Sequence, residues 1–544
     1  MANSSTEHRV SSVTLSKSIA SDRGPLDASD RRGVRETTRR LVAAAVLIGL
    51  TMAAYARFLS TGFAATDSLP LIETSRLHSL ADVGLQFTRP LMAGTRFALG
   101  EVVYRPFVAV TFGVDYALWG LNATGFHATN LGLHVIGVLG VWFLLTRLGL
   151  RNWSALAGAA LFALHPLVVA SVPVIARRDS VVPVSTFVLG AALLLSAEQA
   201  RGSRRVWLLL GSLVLVGIAL VSKESAFAAL AMLPVLFVSS ILGRGGDLRG
   251  ALQRIGLLVP FLVLAIGVFV VRFLVLRGLG GAADDSDLLV VDWNKYSQIL
   301  GAFTRELAWS FAWVASSTRE IWPRLAGVSL LGLALTIPWL PRRHALIAAA
   351  GVTWVVAFAV FCIALKIATI AWLAYFSLVG LAMVFGAGME GAIERIRARR
   401  RSGNVFVLRR AVAIVLLGAL GVYSATALYA SALVRDYDQW QIAGDVTQRF
   451  TEALGACVAQ APAATQVRLS ALPSSFEDGR VETNLMGVTL IEDWTVDSAL
   501  RLMFPERDLS VQVTSWNTLR AGADTLRFTC ATPAPEAIEL TTTY

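Results

Sequence analysis

The residues best suited to chemistry in this chain are ionisable and amide side chains standing where apolar helices begin or end. The stretch "GFHATNLGLH" puts His127, Asn130 and His134 at i, i+3 and i+7, one helical face, at the head of the apolar run "VIGVLGVWFLLT". Polar groups at that depth are costly and mark candidate sites. Other runs end in the same way. "VVYRPF" supplies Arg105, "LFALHPLVVASVPVIARRDS" supplies His165, Arg177, Arg178 and Asp179, and "VSKESA" supplies Lys223 and Glu224. Several cations at one edge of a membrane suit an anion, and a lipid-linked phosphate is the anion found at that depth. Asp67, in "GFAATDSLP", lies just beyond the first apolar run, where a carboxylate can act as a base toward a hydroxyl; Glu73 and Asp82 follow in the same loop. Each residue also has a plain reading. His127 and Asn130 then sit at headgroup level, His134 is satisfied by a neighbouring helix, and the cations snorkel or pair locally, Arg178 with Asp179 and Lys223 with Glu224. Asp67 in "TDSLP" is then a helix cap, and spacing alone does not favour the catalytic reading.

Membrane helices must position these groups. The chain has 544 residues, of which 55% are hydrophobic and 16% charged, with 14 Trp. That is too apolar for an ordinary soluble surface and predicts an all-α polytopic membrane protein. A span needs about 17–25 apolar residues, and eleven candidates occur, near 41–59, 126–146, 154–175, 181–197, 206–221, 225–242, 255–275, 322–340, 345–365, 369–390 and 410–433. The third is interrupted by "HP". Aromatic stretches at 106–121 and "FTRELAWSFAWVASSTREIW" read as helices lying at the outer interface.

Alternating sides, the loops "RLGLRN", "EQARGSRR", "GRGGDLRGALQR", "PRRH" and "ERIRARRRSGNVFVLRR" share one face, and all are net basic. The segment after residue 434 carries 8 Lys and Arg against 15 Asp and Glu. This asymmetry predicts a cytoplasmic N-terminus and an extracytoplasmic C-terminus. Short inner loops and the lack of a retention signal suggest a prokaryotic plasma membrane. The net charge of +11 resides in those loops, which excludes nucleic acid as the expected partner. Residues 1–40, polar and Ser-rich, read as a disordered cytoplasmic tail, 41–434 as the transmembrane domain, and 435–544 as an extracytoplasmic α+β domain. That last domain should hold an amphipathic helix at "DQWQIAGDVTQRFTEALGACV" and strands at "TQVRLSAL", "DLSVQVTSW" and "DTLRFTCA". Cys457 and Cys530 both fall in it, as a disulfide or as two buried thiols, while Cys362 lies inside a span. No CxxC or HExxH pattern occurs, so no metal site is expected.

The blocks "FAATDSLPLI", "YRPFVAV", "DYALWGLNATGFHATNLGLH", "LFALHPLVVASVPVIARRDS" and "VSKES" follow in an order and spacing, over residues 60–235, that resembles the GT-C superfamily of integral-membrane glycosyltransferases. The likeness is to the protein O-mannosyltransferase-like branch that often carries tetratricopeptide repeats, and the "DYALWGLN" block is its most specific part. "LVRDYDQW", after the last span, also resembles the end of the membrane part in that branch. The resemblance implies transfer of a sugar from a polyprenyl-phosphate carrier to an acceptor hydroxyl, on a protein or a glycan, at the outer face. It makes Asp67 the general base, Arg105, Arg178 and Lys223 the groups that hold the lipid phosphate, and His127, Asn130, His134 and His165 the walls of the cavity. Asp179 and Glu224 join the same substrate-binding set. No cofactor or divalent metal is implied, since fixed cations offset charge on the leaving phosphate, and a base opposite the phosphate favours inversion. The chain departs from the pattern at Thr66, in place of the first acid of a pair, at Ala170, and at "AWLAYFSLVG", which lacks the usual charges; the repeats are missing too. A non-catalytic subunit of the same fold, binding a lipid-linked sugar in envelope glycan assembly, is the alternative. A transporter would call for inverted repeats, which are not found.

Overall fold

A computed structural model describes residues 28–97, 103–278, 280, 292–308, 335–365, 371–397, 410–421, 439–476, 491–519 and 526–543. The chain divides into two units, Met1–Val46 and Leu47–Tyr544. In the first, the described residues are helical from Ala28, twelve residues before the expected end of the polar tail. A Glu36–Arg40 ion pair one turn apart, at 3.0 Å, favours that helix. Residues 1–27 of the expected tail lie outside the described part.

The helix α1 (Ala28–Tyr55) leads to a loop and two short helices, α2 (Ser68–Ser75) and α3 (Leu80–Gln86). Then come α4 (Pro106–Trp119), α5 (Ala123–Leu148), α6 (Asn152–Leu164), α7 (Arg178–Gln199), α8 (Gly202–Leu220), α9 (Ser225–Leu230), α10 (Leu233–Gly243), α11 (Leu248–Gln253), α12 (Val259–Leu276) and α13 (Trp293–Ala308). The helices α14 (Arg342–Ala364) and α15 (Ser377–Arg397) complete the bundle, and Arg410–Gly421 forms α16.

Among the described residues, eight helices are long and apolar enough to cross a membrane, and each coincides with an expected span. The expected span 154–175 is instead the 13-residue α6 followed by a 3-10 turn at Pro166–Ala170. Pro166 stops the helix because its ring disfavours helical geometry at His165, which turns extended. Most of 322–340 and half of 410–433 lie outside the described residues, as do 309–322 of the expected interfacial helix and most of "LVRDYDQW". The stretch 106–121, the other expected interfacial helix, holds α4, started by Pro106 at its first position.

The C-terminal part carries α17 (Gln439–Gln460), α18 (Asp493–Met503) and strands β1 (Gln466–Ser470), β2 (Leu472–Phe476), β3 (Ser510–Val513), β4 (Trp516–Leu519), β5 (Arg527–Ala534) and β6 (Ala537–Thr543). One sheet has the order β3-β1-β6-β5, parallel except for the β5–β6 hairpin, and β2 pairs with β4. The expected helix and three expected strands are thus present. Cys457 on α17 is bonded to Cys530 on β5, and Cys362 is buried and free.

Three apolar cores hold these parts. The bundle core gathers residues such as Phe162, Phe187, Trp354 and Phe358, and the C-terminal core gathers Phe450, Leu469, Leu500 and Ile538. The third joins Phe63, Leu69 and Ile72 to Phe112, Phe126 and Ile175, with Ala499 and Leu502 from α18. That third core fixes the loop bearing Asp67 between the membrane helices and the C-terminal part.

Candidate active site

Four helix ends meet around one ionic network. Arg105 is the residue before α4, Asp179 opens α7, Lys223 and Glu224 form the α8–α9 corner, and Arg272 comes from α12. Arg105 pairs with Asp179 and with Glu224, the latter at 2.9 Å; Lys223 reaches Asp179 at 3.1 Å and Ser180 Oγ at 2.7 Å; Arg272 reaches Glu224 at 2.7 Å. Burial opposes charge on all of them, and mutual pairing restores it. Burial would raise the Glu224 carboxyl, but Arg105 and Arg272 outweigh it and hold the group down at about 2. Burial would lower the Arg105 guanidinium, and Glu224 and Asp179 carry it above its ordinary value instead. For Lys223 burial prevails over Asp179, with Arg105 adding to it, and the ammonium is lowered to about 8.

The loop Thr61–Asp67 brings a carboxylate to this network. Asp67 is 9% exposed and stands at the cap position of α2, yet its side chain caps nothing and Oδ1 has no hydrogen-bond partner. The capping reading therefore does not describe it. Its Oδ2 lies 3.7 Å from the Arg177 guanidinium, which stacks at 3.7 Å over the Trp372 ring. The backbone enters this turn through Ala65 at φ +78°, a left-handed conformation costing a non-glycine residue about 1–2 kcal/mol. The surroundings hold it there. His127 Nε2 contacts Gly62 O at 3.2 Å, Ser68 Oγ donates to Ala64 O at 2.6 Å, and Thr495 Oγ1 of α18 donates to Thr66 O at 3.0 Å. The other two acids of the loop have different tasks. Asp82 accepts from the His78 and Ser79 N–H groups, both at 2.7 Å, which holds its carboxyl below the usual range; Glu73 lies 3.5 Å from Arg501.

Among the described residues, Arg105, Lys223 and Arg272 are joined to Asp179 and Glu224 in one ion-pair network, and the Arg177–Asp67 pair stands beside it.

Four expected site residues have other work. Arg178 is fully buried and donates to Asp115 at 2.5 Å, Asn130 Oδ1 at 2.7 Å, Thr111 O at 3.1 Å and Phe126 O at 3.2 Å. Each of its nitrogens is engaged inside the protein, so it braces α4, α5 and α7 rather than meeting a phosphate. Asn130 serves that brace, its amide also reaching Val174 O at 3.2 Å. His134 touches Tyr375 Oη at 2.6 Å amid Tyr55 and Phe162. His165 accepts from Leu167 N at 3.2 Å and contacts Leu307 O at 3.3 Å, which makes it the polar stop of α6. The reason is common to all four: a polar group inside an apolar bundle must be satisfied, and here the partners are protein atoms.

Conversely, Asp115, Arg272 and Trp372 were not singled out from the sequence. Arg272 had a signal, as a charge deep within an apolar run. Arg177, a cation of the same sequence corner, is the one that meets Asp67, while the family resemblance assigns the phosphate to its neighbour Arg178.

No family model matches the chain. Over 182 residues it is 26% identical to protein O-mannosyl-transferase TMTC3 of Homo sapiens, covering 33% of this chain and 20% of that protein. Over 131 residues it is 32% identical to protein O-mannosyl-transferase Tmtc2 of Drosophila melanogaster, covering 23% and 14%. The resemblance drawn from the motifs is thus borne out, and the chain matches a fifth or less of the length of these curated relatives. Among solved structures it is similar to ArnT from Cupriavidus metallidurans bound to undecaprenyl phosphate, with TM-score 0.46 and 14% identity over 87% of this chain and 89% of that one. It is also similar to the oligosaccharyltransferase AglB from Archaeoglobus fulgidus in complex with an inhibitory peptide and a dolichol-phosphate, with TM-score 0.44 and 14% identity over 76% and 57%.

Proposed function

We propose that the chain is a membrane glycosyltransferase that moves a sugar from a polyprenyl-phosphate carrier to an acceptor hydroxyl on a protein or glycan at the extracytoplasmic face. The observation that carries this reading is the largely buried cluster of Arg105, Lys223, Arg272 and Arg177 beside an Asp67 carboxylate oxygen that has no hydrogen-bond partner. The match to protein O-mannosyl-transferases supports it. In this reading Arg105 and Lys223 bind the lipid phosphate and offset the charge that develops as the glycosidic bond breaks. Asp67 takes the proton of the acceptor hydroxyl from the opposite side, which inverts the anomeric carbon, and the Arg177–Trp372 stack keeps the carboxylate in place. Asp179 and Glu224 orient the cations, and His127 anchors the loop. The chemistry calls for no cofactor. The cytoplasmic N-terminus, the extracytoplasmic C-terminus and a prokaryotic plasma membrane belong to the same reading.

A second reading, a lipid-phosphate-binding subunit without catalysis, is favoured by Thr66 and Ala170 at positions that are acidic in the branch it resembles. Both readings require the phosphate site. Purified protein should bind a polyprenyl phosphate at least about tenfold more tightly than the matching polyprenol, and Arg105→Gln should remove that preference, since a hydrogen-bonded charge contributes about 1.5–3 kcal/mol. Equal binding of the two lipids contradicts the assignment.

A further inference from the structure

We infer that the chain holds a second, structural site for a divalent transition-metal ion of the Zn²⁺ type, formed by His344, Glu390 and Glu394 at the opposite end of the bundle. His344 lies in the first turn of α14, and Glu390 and Glu394 occupy successive turns of α15. One ligand atom from each residue can be chosen so that all three lie within 4.8 Å of one another. Gly391 permits the approach: a Cβ there would stand 3.2 Å from His344 Cβ and 3.0 Å from Leu340 Cδ2. The site is remote from Asp67. Glu390 binds the Arg151 N–H just past the C-terminal end of α5, whereas His127 lies near its start, and 21 residues of helix separate them by roughly 30 Å.

The unpaired atoms point to a ligand. His344 and Glu390 are each 1% exposed, and neither imidazole nitrogen nor Glu390 Oε1 has a hydrogen-bond partner. Leaving three such atoms bare in the interior is unfavourable. The other carboxylate oxygen, Glu390 Oε2, is fixed by the Arg151 N–H at 2.8 Å and by the Ser154 hydroxyl, the outer support that orients a metal-binding carboxylate. His344 Nε2 and Glu390 Oε1 are 3.4 Å apart and are not aligned as a hydrogen bond. That spacing matches the edge of a tetrahedron around Zn²⁺, about 3.3 Å for metal–ligand bonds near 2.0–2.1 Å. The Glu394 carboxylate, with Oε2 3.6 Å from Nδ1 and Oε1 3.7 Å from the Arg151 guanidinium, is partly exposed and would turn from that arginine toward the ion to complete the set, with water as fourth ligand. Arg151 and Arg343 come no nearer to Glu390 Oε1 than 3.8 and 3.9 Å, and their half-exposed arms can swing into solvent as the ion enters. An ion there would tie α14 and α15 to the α5–α6 turn.

The test uses the full chain in detergent, stripped of metal and then supplied with Zn²⁺. About one Zn²⁺ should bind per chain and raise the thermal unfolding midpoint, and His344→Ala and Glu390→Gln should abolish both effects. Should those buried variants fold poorly, Glu394→Gln at the partly exposed position should still fold and bind Zn²⁺ at least about tenfold more weakly, the loss of one of three ligands. Wild-type protein that takes up no Zn²⁺ and melts at the same temperature with and without it overturns the site, and so does undiminished binding in the variants. Either result identifies the cluster as a histidine packed between two carboxylates without a metal ion.

Discussion

Lys223 is the weakest cation of the network, and its titration gives a prediction with two signs. With its pKa lowered from 10.5 to about 8, the folded chain releases this proton earlier than the unfolded one. Burying the charged ammonium therefore opposes folding below about pH 8, and the opposition fades as pH rises toward 10.5. Lipid-phosphate binding runs the other way, since only the ammonium attracts the anion. Affinity should be highest below about pH 8 and fall as pH passes through it, while Glu224, held at about 2, stays ionised throughout. Equilibrium binding on either side of that pH checks this, and Lys223→Arg should flatten the profile because a guanidinium stays charged. A flat wild-type profile would remove Lys223 from the site. Arg178 leads to a stability prediction instead. Its only ion-pair partner among the described residues is Asp115, and both are buried. Asp115→Asn leaves a buried guanidinium uncompensated, a loss of about 3–5 kcal/mol, visible as a lower unfolding midpoint in detergent. Asp115 and Arg178 are 63 residues apart, and nothing local in either motif reveals the pairing. For that reason the sequence makes Arg178 look like a phosphate ligand.

The elements were easier to read than their pairings. Long apolar runs bounded by charged corners define α5, α7, α8, α12 and α14 to within a few residues, because hydropathy depends only on local composition. Arg272 escaped notice for the same reason: averaged over α12, one charge leaves the run strongly apolar, and only the fold turns it inward to Glu224 while its neighbours stay exposed. The loop before α2 shows the limit most clearly. Its sequence reads as turn chemistry, yet its shape comes from contacts far along the chain. Gly62 lies against Gly444 of α17 so closely that a Cβ on Gly62 would collide with the Gly444 carbonyl, and one on Gly444 would stand 2.9 Å from the Gly62 nitrogen. Gly62→Ala and Gly444→Ala should each push the loop outward and displace Asp67. Steady-state kinetics should then show kcat reduced and the apparent affinity for donor nearly unchanged, since the phosphate network hangs on α4, α7, α9 and α12. Equal effects on both constants would mean that loop and network are one unit.

At the scale of the molecule, the C-terminal part does more than end the chain. The helix α18 packs on α2, Thr495 bonds the Thr66 carbonyl, and Trp494 meets Phe97 edge-on. Composition and alternation showed that an α+β unit follows the last span, and the Cys457–Cys530 bond fits that reading. Its task of bracing the Asp67 loop was not legible, because it arises from residues more than 400 positions apart. In the proposed reaction Asp67, placed by this brace beside the cations Arg105, Lys223 and Arg272, acts as the base. Sugar transfer from a polyprenyl-phosphate sugar, measured with purified protein in lipid vesicles for the wild type and for Asp67→Asn, tests it most directly. The variant should bind the lipid phosphate as the wild type does and form no product above background. Undiminished transfer by Asp67→Asn would contradict that role.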